Sequence, residues 1–126
     1  MTRQRMCFAV DLRDDPEAIA AYKRCHAPGG PPAGVTRSLR EAGIAVLEIY
    51  LIGNRLFMIM DVEPHYSADA KARADATNPD VQAWNALMET LQQSLPFFAY
   101  LDNGAGGPSA GKWQPMECIY TLAAQP

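Results

Sequence analysis

Histidine and cysteine are scarce in this sequence, and no apolar run in it is long. Two of its 126 residues are histidine and three are cysteine. Two histidines without a second ligand cluster argue against a metal centre, so Asp61, Glu63 and His65, which alternate at strand spacing, read as a solvated strand end. Cys7, Cys25 and Cys118 are odd in number and irregular in spacing. That excludes a disulfide framework and fits a reducing compartment. The apolar run that opens the chain stops at Asp11, too soon for a signal-peptide core or a membrane span, so the expected location is the cytoplasm. Charge of one sign is lacking too. Eleven basic and fourteen acidic residues are mixed along the chain, for a net charge of −3, with no basic stripe for a phosphate backbone. No segment sets a Lys/Arg face against a Trp/Phe/Leu face as a membrane-surface helix requires. Nucleic acid and membrane are therefore not expected partners; a small ligand or another protein chain is.

What is present suits one ordinary globular domain over residues 1–126, 48% hydrophobic and 20% charged. Met6 to Leu12 reads as a strand. Asp15 is a helix cap before Pro16 at the first helical position, and Glu17 complements the positive helix end, predicting a helix to about Cys25. After the breaker Ala27-Pro28-Gly29-Gly30-Pro31-Pro32, a second helix is expected from about Pro32 to Ala42, stopped by Gly43. Ile44 to Ile52 and Arg55 to Val62 are β-branched and aromatic runs around Gly53-Asn54, a hairpin. Ser67 to Thr77 reads as a helical turn or two. Asn78 caps a further helix whose apolar stripe, Val81, Trp84, Leu87, Met88 and Leu91, runs to about Leu95. Phe97 to Lys112 is Gly-rich and reads as a long loop, a lid or dimer-contact segment. Met116 to Leu122 is expected to form a last strand. The order β-α-(α)-β-β-α-β suits an α+β sandwich of ferredoxin-like type, an antiparallel sheet with helices on one face. The other face would be open, and a second copy of the sheet is the usual cover, so a homodimer is expected.

The tightest chemical constellation is Tyr22 and His26, spaced i, i+4 on one face of the first helix. Histidine is the side chain best suited to exchange a proton near neutral pH. A lone Tyr/His pair on a helix is more often packing than catalysis; Trp84 read alone suits a core position and a pocket position equally, and Tyr50 is more often a half-buried strand residue than a ligand contact.

The surrounding residues add a resemblance. The chain resembles the L-rhamnose mutarotase family in its apolar first strand and in Ala21-Tyr22-Lys23-Arg24-Cys25-His26 before a proline-containing loop. It does so again in Leu39 to Gly43, in Ile49-Tyr50-Leu51 leading to Arg55-Leu56-Phe57-Met58, in Val81-Gln82-Ala83-Trp84 before Met88, and in Met116 to Leu122. The resemblance implies a homodimeric α+β fold forming a dimeric α/β-barrel-like assembly, without metal or organic cofactor. It implies His26 as catalytic acid/base, Tyr22 in contact with the sugar, and Trp84, with Tyr50, in the pocket. The chain departs from the rhamnose-type pattern at two substrate positions, where Leu47 replaces a tyrosine and Asn85 a second tryptophan, and Gly29-Gly30-Pro31-Pro32 replaces a Trp-Pro element. The activity implied is interconversion of the α and β anomers of a 6-deoxyhexose, L-rhamnose or L-fucose. Two other readings stay open: a non-catalytic dimeric sugar-binding or regulatory module, and a cofactor-free oxygenase of similar build.

Overall fold

The structure is a computed structural model that describes residues 2–98 and 112–126. Strand β1 (Gln4–Leu12) is its central element. On one side it pairs antiparallel with β3 (Arg55–Val62), from Gln4 opposite Val62 to Asp11 opposite Arg55, and β3 pairs in turn with β2 (Ile44–Ile52). On the other side β1 meets two short pieces: β4 (Gln92–Gln93) opposite Leu12 and Asp11, and β5 (Gln114–Pro115) opposite Ala9 and Phe8. The order β2-β3-β1, followed by β4 and β5 on one shared edge, is that of a ferredoxin-like sheet. The hairpin falls on the residues its sequence marks. Gly53 takes φ of 60°, and Asn54 accepts from the Leu12 N–H at 2.6 Å and donates its side-chain amide to the Leu12 carbonyl at 2.9 Å, tying the turn to the end of β1.

Four helices follow from local chemistry. In α1 (Pro16–Cys25) the Asp15 carboxylate accepts from the Ala18 N–H at 2.8 Å, satisfying one of the free donors of the first turn. Helix α2 (Ala33–Glu41) ends before Gly43, whose φ of 94° turns the chain into β2. Ser67 caps α3 (Ala68–Ala76), which at nine residues is longer than the turn or two expected. Asn78 caps α4 (Pro79–Leu91) through the amides of Asp80 and Val81.

Strand alternation sends Val10, Leu12, Leu56 and Leu51 to one face of the sheet, where they pack with Ile19 and Tyr22 of α1 and Trp84, Met88 and Leu91 of α4. A second cluster, Ile44, Met60 and Val62 with Leu47, Leu39 and Tyr66, extends the same layer. Burying Val10, Leu12 and Leu56 fully stabilises the fold by about 1.5–3 kcal/mol each. On the opposite face, Arg5 bonds Asp61 and Arg55 bonds Asp11, both at 2.8 Å across β1 and β3. These ion pairs frame Cys7, Ala9, Phe57 and Ile59. Asp61 and Glu63 thus serve Arg5 and Arg3.

Two expectations need correction. The last long helix stops at Leu91 rather than Leu95, because Gln92 turns extended, with ψ of 155°, to pair with Leu12 along an otherwise open edge of β1. The strand expected over Met116–Leu122 does not form. Pairing ends at Gln114–Pro115 and one further bond from the Met116 N–H to the Cys7 carbonyl, and Leu122–Ala124 is a single 3-10 turn. Proline has no N–H for the ladder, and β-branched and aromatic residues favour strand only where a partner and a packed face exist. Here Ile119, Tyr120 and Leu122 are all exposed. The Gly-rich stretch expected as a loop lies, over residues 99–111, outside the described residues.

Candidate active site

The two residues singled out on the first helix meet as expected. Tyr22 and His26 are one helical turn apart, and their rings stack with centroids at 4.0 Å and planes 25° apart. Tyr22 is 5% exposed and belongs to the core cluster; His26, at the end of α1, is half-buried. The indole of Trp84 reaches the other partner from α4, its centroid 5.0 Å from the imidazole at 66°, an edge contact. The imidazole is therefore held between an aromatic face and an aromatic edge supplied by two different helices.

Its hydrogen bonding decides which nitrogen is free. Nδ1 of His26 lies 2.8 Å from the carbonyl oxygen of Tyr22. A carbonyl can only accept, so Nδ1 carries the hydrogen and Nε2 keeps its lone pair. The same carbonyl accepts from the His26 backbone N–H at 3.2 Å and from the Cys25 thiol at 3.3 Å. Two effects oppose each other on the ring. Burial lowers the His26 pKa below its usual 6.5, the bond to the Tyr22 carbonyl raises it, and burial prevails. The result is a neutral imidazole at pH 7 with Nε2 able to accept a proton. Burial also raises the Tyr22 phenol and the Cys25 thiol, so both keep their protons at neutral pH.

The remaining expected site residues are placed differently. Leu47 lies on the helix-covered face of the sheet, against Ile44, Met60 and Val62. Asn85 is exposed on α4 beside Trp84. Tyr50 is not brought to His26. It alternates with Ile49 and Leu51, so it stands on the other face, 53% exposed, donating its hydroxyl to Glu48 at 2.7 Å.

Two residues near the group, Gln92 and Trp113, are not among the expected site residues. Gln92, 6% exposed, follows α4 directly and pairs with Leu12, a member of the core cluster that holds Tyr22. Trp113 packs against the cluster that contains Tyr22, and its neighbour Lys112 pairs with Glu89 of α4. An aromatic residue just after a Gly-rich stretch, and a polar pair ending an apolar helix stripe, are the clues that the bare sequence offers for them.

A neutral general base with a fixed tautomer, beside a protonated phenol and an indole, is suited to moving a proton on an uncharged hydroxylated ligand. The chain is 42% identical over 123 residues to an L-fucose mutarotase of Xanthomonas campestris pv. campestris, covering 98% of this chain and 91% of that protein. Its fold matches the crystal structure of an L-rhamnose mutarotase from Formosa agariphila with a TM-score of 0.62 at 23% identity, over 94% of this chain and 98% of the other. The family model for L-rhamnose mutarotase matches residues 5–122. The chain thus belongs to the L-rhamnose mutarotase family, and is an isomerase acting on sugars.

Proposed function

We propose that this mutarotase exchanges the anomers of a 6-deoxyhexopyranose, L-fucose before L-rhamnose, through proton transfer at His26. The observation that carries the reading is the Nδ1 bond of His26 to the Tyr22 carbonyl, which leaves Nε2 as a neutral base in a half-buried aromatic setting. The anomeric hydroxyl gives its proton to Nε2 while a hydrogen-bond donor protonates the ring oxygen, and the bond from C1 to the ring oxygen breaks. The open-chain aldehyde turns about the bond from C1 to C2. The former ring oxygen attacks the opposite carbonyl face, and the protons return. Tyr22, protonated, donates to the sugar, and Trp84 offers an apolar ring surface that leaves C1 free to turn. Leu47, at the position where the rhamnose-type pattern has a tyrosine, and the 42% identity to a protein named for L-fucose support the order of the two sugars.

Saturation-transfer NMR on equilibrated L-fucose and L-rhamnose tests this directly, by irradiating one anomeric proton and observing the other. Catalytic amounts of protein should transfer saturation with L-fucose, and His26→Ala should remove it by about 10²-fold or more while leaving the circular dichroism unchanged. Transfer that persists in His26→Ala refutes the role of His26.

The protein acts as a homodimer in this reading, joined through the sheet face opposite the helices in a barrel-like assembly. Support comes from Ile52, 70% exposed, and from Ile119, Tyr120 and Leu122 of the C-terminal arm, apolar surface of the kind that a second copy covers. Light scattering should give twice the chain mass. The three free cysteines support a cytoplasmic location.

A further inference from the structure

Helix α3 is held to the rest of the domain by polar groups in place of an apolar stripe. Its alanines form helix readily but bury little surface, and no residue of α3 is buried. Lys71 and Asp75, one helical turn apart, are the residues of α3 that turn away from solvent, their side chains 17% and 18% exposed. They form an ion pair, and both reach Ser38 of α2, which is 8% exposed. The Ser38 hydroxyl donates to the Asp75 carboxylate at 2.6 Å and accepts from Lys71 Nζ at 3.3 Å. Toward α4, the Asp75 carbonyl accepts from Gln82 Nε2 at 2.8 Å. By contrast α1, α2 and α4 each bury hydrophobic side chains, Tyr22, Val35 and Met88 among them.

We propose that α3 is a detachable strap, which lifts from α2 and α4 as a unit by breaking the contacts among Lys71, Asp75 and Ser38 while the sheet and the other helices stay folded. The device stands apart from the sugar chemistry and does not rest on it. Opening an element of the core exposes apolar surface to water, but lifting α3 exposes an ammonium, a carboxylate and a hydroxyl, which water solvates well. What opposes the lift is therefore a few hydrogen bonds rather than the cohesion of the core. The neighbouring helices keep their own ties. Asn78 caps α4 through the amides of Asp80 and Val81, and the Asp80 carboxylate accepts from the Gly34 N–H at 3.1 Å, fastening α4 to α2 without help from α3.

Amide hydrogen exchange of the native protein in rising urea tests this, because a denaturant promotes each opening in proportion to the surface it exposes. Between no urea and about 1 M, the amides of Ala72 to Ala76 should exchange about a hundredfold or more faster than those of β1 and β3, at a rate that urea leaves unchanged, while exchange in β1 and β3 accelerates. In Ser38→Ala, which leaves the sequence of α3 intact, α3 should exchange about tenfold faster again, still without response to urea, because a hydrogen bond to a charged group is gone. Lys71→Met, which keeps the length of the side chain and removes its charge, should act the same way and stands in if Ser38→Ala does not fold. Three results overturn the proposal. Amides of α3 that accelerate in urea as steeply as those of β1 and β3 make the helix part of the core's own unfolding. Amides of α3 without protection in plain buffer leave no closed strap. Folded variants whose α3 exchanges within about twofold of wild type remove the three polar side chains as its closure.

Discussion

The carbonyl oxygen of Tyr22 lies 2.8 Å from Nδ1 of His26, so a backbone atom of one site residue fixes the tautomer of the other. The pairing needs no third side chain, because the i, i+4 spacing that stacks the two rings also brings the carbonyl of the first residue to the side chain of the second.

A consequence for pH follows. The neutral imidazole is the active form, and burial favours it, so kcat/KM should stay level as pH falls past 6.5 and decline only below that value. Exchange rates measured from about pH 5 to about pH 8 give the midpoint. A decline centred at or above 6.5 contradicts a buried His26 as the base.

Trp84 bears on the same limb. Removing the indole edge in Trp84→Ala opens the imidazole to water, lessens the burial effect and should move the acid limb up toward the ordinary histidine value. KM should rise by about tenfold through the lost ring surface. A raised KM with an unmoved limb would show that Trp84 holds the sugar without shielding His26.

In the core, Leu56 is 1% exposed between the partner strands β1 and β2. Leu56→Ala should cost about 2–5 kcal/mol in urea-induced unfolding, a transfer loss plus the cavity left behind.

Two glycines with positive φ should respond unequally to alanine. At Gly43, with φ of 94°, a Cβ would stand 2.6 Å from Nε2 of His65, so backbone strain and a clash combine. At Gly53, with φ of 60°, nothing lies within 4 Å. Gly43→Ala should destabilise by about 1–3 kcal/mol and Gly53→Ala by about 1 kcal/mol, measured by thermal melting.

The sequence carried most of the fold because its punctuation is local. Asp15 with Pro16, Gly43, and Gly53-Asn54 set element ends through caps and backbone conformations that depend on nearest neighbours, and Tyr22 with His26 needed only helical spacing. What was hidden depends on partners distant in sequence. In the run from Ile44 to Ile52 only Glu48 is charged, a weak mark for the face that Tyr50 shares, opposite the helix-facing Leu47. Gln92 lies within the span expected to stay helical to Leu95, and only pairing with Leu12 at the edge of β1 explains why it turns extended. Met116 to Leu122 has strand-forming residues but, among the described residues, no ladder to join beyond the Met116 bond to Cys7.

The placement of β1 also dictates an order of assembly. Its neighbour on one edge, β3, begins at Arg55, whereas β4 and β5 on the other edge belong to residues 92–93 and 114–115. On a ribosome the hairpin can dock on β1 early, but the opposite edge of that strand stays bare until much later in synthesis. Through that interval the nascent chain exposes an unpaired strand edge, which is open to pairing with the strands of neighbouring nascent chains.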